Sequence, residues 1–226
     1  MISPVPTVEL APGFRISRII KGGWQLSQGH REGLTSDPVS DMFAFAEAGI
    51  NTFDCADIYT GVEALIGRFL SAWRKKHGNT DDIRILTKFV PDEDALATLD
   101  KRYVERIIDR SLRRLGMERL DMVQFSWWNY SIPRYVETAM MLEDLRRAGK
   151  INLISGTNFN TNSTKEILEA GVRLSTLQVQ YSLLDNRPER GLTDLCAQHG
   201  MHLLCYGTVA GGFLSERWRS EEHTSE

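Results

Sequence analysis

Apolar positions along the chain follow two spacings, and the alternation between them divides the sequence into helices and strands. Residues 62–73 carry the helical spacing, because one face collects Val62, Leu65, Ile66, Phe69, Leu70 and Trp73. Other segments, such as residues 83–89, are short and apolar on both sides. That pattern is typical of parallel strands that helices cover on both faces. The alternation predicts an α/β fold.

The repeated pattern predicts seven strands separated by six helices. We expect strands at residues 18–26, 51–55, 83–89, 120–127, 151–157, 177–183 and 201–206. We expect helices at residues 38–48, 62–73, 103–115, 133–148, 163–170 and 188–199. Pro38 suits a first helical turn, and glycine directly follows several of the helices.

This rhythm favours a (β/α)8 TIM barrel that is incomplete at the C-terminus, with about seven strands present. An open, doubly wound sheet is the alternative. Two absences count against it: no GxGxxG motif follows the first strand, and the chain contains no GxxxxGK[ST] phosphate loop.

The two ends of the chain differ from the repeating part. Residues 8–17, VELAPGFRIS, predict a β-hairpin that turns at Ala-Pro-Gly and plugs the lower end of the barrel. Residues 1–218 are expected to form one barrel domain. The last eight residues, RSEEHTSE, have no apolar periodicity, so we expect 219–226 to be a non-native or disordered tail.

Composition excludes several classes of function. The formal net charge is -3 and basic residues are interspersed with acidic ones, which argues against a nucleic-acid partner. The three cysteines (Cys55, Cys196 and Cys205) are not spaced as a metal pair, and their odd number argues against a disulfide framework. No signal peptide and no apolar run of about 18 residues occurs. We therefore expect a cytoplasmic protein with no metal site and no membrane partner.

The candidate chemistry lies at the ends of two predicted strands. Residues 53–59, FDCADIY, contain Asp54 and Tyr59, and Lys88 ends the next strand in ILTKF. Strand ends share one rim of a barrel, so the three side chains can meet. A lysine cation lowers the pKa of a nearby tyrosine, and a carboxylate holds the lysine in place. This arrangement fits proton transfer to a carbonyl, although spacing alone equally permits a structural ion pair beside an ordinary loop tyrosine.

Several segments together resemble one known family. FDCADIYTGVEALIG looks like the signature block of the aldo-keto reductases. IKGGWQL, RSLRRLGMERLDMVQFSWW, RRAGKINLISGTNFN and LQVQYSLL resemble further segments of that family, in the family's order. The similarity extends from about residue 18 to residue 214 and indicates a C-terminally truncated aldo-keto reductase.

The resemblance implies an NADP-dependent oxidoreductase, with NAD as the alternative cofactor, that reduces a small aldehyde or ketone or catalyses the reverse reaction. Three of the family's four catalytic positions match Asp54, Tyr59 (the general acid/base) and Lys88. The implied cofactor-binding residues are Gly22, Gly23, Trp24, Asp54, Thr157, Asn158, Gln178, Tyr206, Gly207 and Val209. The substrate is expected to contact Trp24, Tyr59 and Trp127.

The chain departs from the family's pattern at the fourth catalytic position, where Ser126 replaces the usual histidine. A serine hydroxyl is a shorter and less directional donor than an imidazole. The family's segment around the eighth strand, which holds the 2′-phosphate of NADP, has no counterpart here. Two alternatives to an enzyme therefore stay open: a non-catalytic regulatory or binding protein on the same barrel, and an inactive fragment. The substrate and the oligomeric state are not predicted.

Overall fold

The computed structural model describes residues 4–27 and 37–218. Within these residues, seven parallel strands form one sheet in which each strand pairs with the next in the chain. They are β3 (Lys21–Gly22), β4 (Thr52–Asp54), β5 (Arg84–Phe89), β6 (Leu120–Phe125), β7 (Ile151–Thr157), β8 (Leu174–Gln180) and β9 (His202–Tyr206). This order confirms the predicted seven-stranded barrel sheet. The predicted tail, 219–226, lies outside the described residues.

The sheet is curled, as contacts between side chains of distant strands in its interior show. Asp54 on β4 accepts a hydrogen bond of 2.9 Å from Gln178 on β8, although three strands lie between them. Successive strand residues point to opposite faces, so a single polar position on each strand can join this interior layer. The curled sheet thus gathers polar side chains from strands that are far apart along the sheet.

In the described part of the chain, six α-helices cover the outside of the sheet. They are α1 (Pro38–Glu47), α2 (Val62–His77), α3 (Lys101–Leu115), α4 (Tyr135–Arg147), α5 (Thr161–Glu169) and α6 (Leu192–Gln198). Asp37, Asp100 and Asn160 cap three of them, because each side chain accepts a backbone N–H of the first turn. None of the helices in the part of the chain that the structure describes has the length and apolar character needed to cross a bilayer.

Several predicted boundaries differ from the observed ones. The first barrel strand is only Lys21–Gly22 and is followed by a 3-10 turn at Trp24–Leu26. The strand predicted at 177–183 is Leu174–Gln180 instead. The helix predicted at 188–199 is broken at Gly191, whose φ of 94° is left-handed, so that only Leu192–Gln198 is α-helical. Short glycine-containing segments carry little periodicity, and tertiary pairing decides where they end.

The hairpin closes the end of the barrel at which the strands begin, opposite their carboxyl ends. Strands β1 (Thr7–Ala11) and β2 (Phe14–Ser17) pair antiparallel, as predicted. Its apolar side chains Leu10, Phe14 and Ile16 share one buried cluster with interior residues of the barrel strands, which are Leu86, Met122 and Leu204. On β5 and β6 the interior residues that follow two positions later are Lys88 and Gln124. The hairpin therefore keeps water from the floor of the polar layer.

Gly67 marks a close crossing of α2 and α3, and we expect Gly67→Ala to destabilise the fold. A Cβ at this position would lie 2.3 Å from the Arg114 carbonyl oxygen, which is backbone and cannot rotate away. Such overpacking costs about 1–3 kcal/mol. Chemical denaturation should show a lower midpoint. The control is Ser71→Ala, at an exposed position of the same helix. An equal effect in both variants would contradict this account of the crossing.

Candidate active site

The carboxyl ends of the barrel strands bring the predicted residues to one rim. Asp54 ends β4, Thr157 ends β7 and Tyr206 ends β9. Lys88 on β5 is paired in register with Gln124 on β6, so both side chains point into the barrel at the same height. Ligands of parallel α/β barrels bind at this end because the loops that follow the strands meet there.

A cavity of about 530 Å³ opens at this rim. Its apolar wall includes Trp24, Ile58 and Val90, and its floor is polar. The predicted residues that line it are Gly22, Trp24, Asp54, Tyr59, Lys88, Ser126, Thr157, Asn158, Gln178, Tyr206 and Gly207. An apolar cleft with a few converging polar groups is the usual form of a small-molecule site.

The Asp54 carboxylate is the centre of the polar floor. Its Oδ1 accepts from the Lys88 ammonium at 2.5 Å, and its Oδ2 accepts from the side-chain amides of Gln124 at 2.5 Å and Gln178 at 2.9 Å. The Lys88 ammonium also donates to the Cys55 carbonyl at 2.9 Å. Buried charges persist only when they are paired and hydrogen-bonded. The Asp54 carboxylate and the Cys55 carbonyl therefore hold the Lys88 ammonium in place at the base of the cavity.

Tyr59 lies above this ion pair, on the turn that joins β4 to α2. The Lys88 ammonium is 5.3 Å from the centre of the Tyr59 ring. Burial raises the pKa of the Tyr59 hydroxyl above its ordinary value, the Lys88 ammonium lowers it, and Asp54 raises it. The predicted effect of Lys88 therefore has the right sign, but burial outweighs it. Tyr59 consequently holds its proton at neutral pH.

Asn158 and Tyr206 form the opposite side of the cavity. The Tyr206 hydroxyl donates to Asn158 Oδ1 at 2.8 Å, and the Asn158 backbone N–H donates to the Gln178 carbonyl at 2.9 Å. Asn158 has a φ of 59°, a left-handed conformation that asparagine tolerates better than most residues. The Thr157 hydroxyl donates to Gln178 Oε1 at 3.3 Å, which fixes the orientation of that amide. The wall is thus held by bonds among its own members.

The structure does not bring every predicted residue to the cavity. Trp127 is 4% exposed, packs in the core and donates to backbone carbonyls, whereas its neighbour Trp128 is 54% exposed and lines the cavity. Trp127 therefore does not line this cavity, because the alternation of β6 continues past Phe125 and turns Trp127 outward. Val209 is exposed beyond the end of β9. Gly23 lies behind the wall, where a Cβ would be 2.7 Å from the Asp54 carbonyl oxygen.

The sequence did not predict Gln124 and Trp128 as residues of the site, nor the lining residues Gln25, Ala56, Ile58 and Val90. One signal identifies the first two. The alternation of β6, continued into the residues directly after it, places Gln124, Ser126 and Trp128 on the cavity side and Phe125 and Trp127 on the outer side. Gln124 is polar and yet fully buried within β6. Counting in steps of two from a polar interior residue would have identified Trp128 as well.

Ser126 reaches the cavity at the predicted fourth position, directly after β6. Its backbone N–H donates to the Phe89 carbonyl at 3.1 Å, which continues the strand pairing to the rim. Of the histidines in the described residues, which are His77, His199 and His202, none lines this cavity. Ser126 therefore lines the rim at the position where the family resemblance leads us to expect a histidine.

Comparisons with known proteins agree with this geometry. The family model for the aldo/keto reductase family matches residues 18–226. A relative from Schizosaccharomyces pombe, aldo-keto reductase yakc (NADP+), is 29% identical over 192 residues, covering 80% of this chain and 54% of the relative. The NADH-specific methylglyoxal reductase of Escherichia coli is 26% identical over 236 residues, covering 94% of this chain and 68% of the relative.

A solved structure of a thermostable aldo-keto reductase, in complex with the inhibitor epalrestat, has a TM-score of 0.77 at 26% identity. The match covers 95% of this chain and 77% of the chain in the solved structure. The chain thus spans between 54% and 68% of the two curated relatives' own lengths. Because the family model matches nearly the whole sequence, the chain belongs to the aldo/keto reductase family.

Proposed function

We propose that the protein is a nicotinamide-dependent oxidoreductase that reduces an aldehyde or ketone to the alcohol, or catalyses the reverse, with Tyr59 as general acid/base. One observation carries the proposal. The Lys88 ammonium bridges the Asp54 carboxylate, at 2.5 Å, and the Tyr59 ring, at 5.3 Å, on the floor of a cavity that is open at the barrel rim. Membership of the aldo/keto reductase family supports the same reaction class.

The residues of the cavity fit a nicotinamide. The Tyr206 ring offers a flat surface for stacking, and Asn158 offers an amide side chain of the kind that pairs with a carboxamide. Gly22 adds no side chain at the entrance, where a Cβ would meet nothing within 4 Å. A bound nicotinamide supplies the hydride that reduces the carbonyl carbon. We propose NADPH as the cofactor. NADH is the alternative, because one of the two relatives is named for NADP+ and the other for NADH.

Tyr59 is suited to donate the proton that the carbonyl oxygen needs. Its raised pKa keeps the hydroxyl protonated at neutral pH. When the proton leaves, the Lys88 ammonium stabilises the tyrosinate, and the Asp54 carboxylate keeps that ammonium charged and oriented. In the reverse reaction the tyrosinate accepts the proton of the alcohol. The same three side chains therefore serve both directions.

Ser126 and the two tryptophans define the kind of substrate that we propose. The Ser126 hydroxyl donates to the carbonyl oxygen in place of an imidazole, and a single polarising donor of this kind contributes on the order of 100-fold or more to a rate. Trp24 and Trp128 supply large apolar surfaces on the cavity wall. A small carbonyl compound with an apolar substituent fits this combination.

The proposal is tested by titrating the protein with NADPH and with NADH while following tryptophan fluorescence. An aldehyde is then added and the loss of reduced-cofactor absorbance is measured. We expect fluorescence quenching, because Trp24 and Trp128 line the cavity, followed by aldehyde-dependent oxidation of the cofactor. Circular dichroism establishes that the chain is folded. Binding without turnover would contradict the proposal and favour a non-catalytic binding protein, and a folded chain that binds neither cofactor would contradict it too.

A further inference from the structure

Asp57 is a buried acidic residue that lies outside the cavity and makes an unusual number of bonds to other elements. It is two positions before Tyr59 in the turn between β4 and α2. Its backbone N–H donates to the Lys88 carbonyl at 3.3 Å, and its Oδ1 accepts from the Val90 N–H at 3.1 Å. Both partners belong to β5 or to the residues directly after it. The turn that carries Tyr59 is thus attached to the strand that carries Lys88.

Two arginines of α3 hold Asp57 from the other side. Arg110 donates to Asp57 Oδ2 at 3.2 Å, and Arg114 donates to the Asp57 carbonyl at 3.1 Å. Arg114 also donates to Glu63 at 3.2 Å, and Glu63 accepts from the Thr87 hydroxyl at 2.8 Å. We call these five residues (Asp57, Glu63, Thr87, Arg110 and Arg114) the clamp. It joins the turn, the first turn of α2, strand β5 and helix α3.

The clamp is not arranged for maximal stability. The side chains of Asp57 and Glu63 are each 1% exposed, and removing carboxylates from water is costly even when they are paired. Arg110 Nε is buried and lacks a hydrogen-bond partner among the described residues. A buried ionic network with an unsatisfied donor is weak evidence for a stabilising role. Its bonds connect one short turn to β5 and to α3.

Tyr59 depends on that turn because its own backbone bonds are local. Its N–H donates to the Ala56 carbonyl at 3.1 Å, and its carbonyl accepts from the Val62 N–H at 3.0 Å. Neither bond sets the height of the ring above Lys88. We propose, resting on the function proposed above, that Asp57 is a positioning residue whose bonds to β5 and α3 set the placement of Tyr59 over Lys88.

The first test replaces Asp57 with Asn and is made at pH 8. Burial and the Glu63 carboxylate raise the pKa of Asp57, the Arg110 guanidinium lowers it, and the net result is a pKa of about 7. At pH 8 the Asp57 carboxylate is therefore mostly ionised. Asp57→Asn keeps an oxygen for the Val90 N–H but loses the charge that Arg110 contacts. We expect kcat to fall on the order of 10- to 100-fold, because a misplaced catalytic group is costly, while KM and the Kd for NADPH stay within about twofold.

Asp121→Asn is the matched control. Asp121 is a half-buried carboxylate and accepts from the Ile85 N–H at 2.8 Å, at the opposite end of the same strand β5. It makes the same chemical change without touching the turn. We expect kcat to be unchanged in this variant. An unchanged kcat in Asp57→Asn, or an equal loss in both variants, would overturn the proposal.

A spectroscopic measurement separates this inference from the proposed function. In fluorotyrosine-labelled protein, the fluorine NMR signal of Tyr59 is assigned by its absence in Tyr59→Phe. We expect this signal to move or broaden in Asp57→Asn and to stay in place in Asp121→Asn, whether or not the wild-type protein turns over a carbonyl. If Asp57→Asn does not fold, Arg110→Met replaces it, because that side chain is partly exposed. A Tyr59 signal unmoved in the folded variant would overturn the proposal.

Discussion

Replacing Tyr59 with phenylalanine is expected to slow carbonyl reduction by about 100- to 10,000-fold, the usual contribution of a positioned general acid. Phenylalanine keeps the ring over the Lys88 ammonium but removes the proton that the carbonyl oxygen needs. The Kd for NADPH should change little, since the proposed cofactor contacts lie at Asn158 and Tyr206, across the cavity. Steady-state kinetics and a fluorescence titration measure the two effects separately.

Tyr181→Phe is the control for this variant. It removes a hydroxyl that donates to Glu189 at 2.6 Å and is not part of the cavity. Its activity should equal that of the wild type. If Tyr59→Phe retained full activity, Tyr59 would not be the general acid and the proposed mechanism would be wrong.

The pH dependence of the wild-type protein gives a second measurement on the same group. Because the pKa of Tyr59 is raised, its proton is present below that value and lost above it. Reduction consumes this proton, so its rate should be level through neutral pH and fall at alkaline pH. Oxidation of an alcohol requires the tyrosinate and should rise in the same range. A reduction rate that increased with pH would contradict the assignment.

Replacing Lys88 with methionine is expected to remove both activity and a large share of the stability. Removing one partner of a buried ion pair typically costs 3–5 kcal/mol. Asp54 keeps the amide donors of Gln124 and Gln178, so we expect a loss near the lower end, about 3 kcal/mol. Activity falls because nothing then stabilises the Tyr59 oxyanion. Urea denaturation and steady-state kinetics measure the two losses.

Lys76→Met is a matched control, because Lys76 also approaches a carboxylate, that of Glu47, at 2.5 Å. That lysine side chain is 57% exposed, against 8% for Lys88. An exposed pair contributes 0–1 kcal/mol, so the two variants should differ clearly in stability. Equal losses would mean that burial does not set the strength of the Asp54–Lys88 pair.

A double-mutant cycle isolates the pair itself. Asp54→Asn leaves the lysine ammonium buried without its carboxylate, and Lys88→Met leaves the carboxylate without its ammonium. The double variant removes both charges, so it should lose less stability than the sum of the two single variants. Strict additivity would contradict a direct interaction between the two groups.

Most secondary structure was predictable because its causes are local. The helix predicted at residues 62–73 from its apolar stripe is present, and it extends to His77 before Gly78, whose φ of 90° suits glycine. The strand at Ile151–Thr157 has the predicted bounds. The break at Gly191 was missed, because one glycine within a periodic segment does not show whether the backbone continues through it. The tertiary packing of the residues on either side of Gly191 decides whether the helix continues.

Part of the site was predictable for the same reason. Asp54, Tyr59 and Lys88 occur at recognisable positions relative to strand ends, and the barrel rim brings strand ends together. The alternation of β6, continued past its last residue, distinguishes Trp127, which lies outside the cavity, from Trp128, which lines it. Gln124 and the clamp are different cases. Alternation along β6 places Gln124 inside the barrel, but no local pattern identifies what Gln124 and the clamp residues contact, because these partners lie on other strands and on α3, up to 70 positions away in the chain.

The sequence by itself determined the order of strands and helices, the end of the barrel at which the chemistry lies and the family resemblance, since each depends on neighbouring residues and their spacing. Only the tertiary structure decided which side chains share the Asp54 carboxylate, and that Asp57 attaches the Tyr59 turn to β5 and α3. It also decided that burial raises the pKa of Tyr59 more than the Lys88 ammonium lowers it. These features arise from strand register, burial and contacts across the barrel. Such properties belong to the folded chain, because they depend on distances between residues that are remote in sequence.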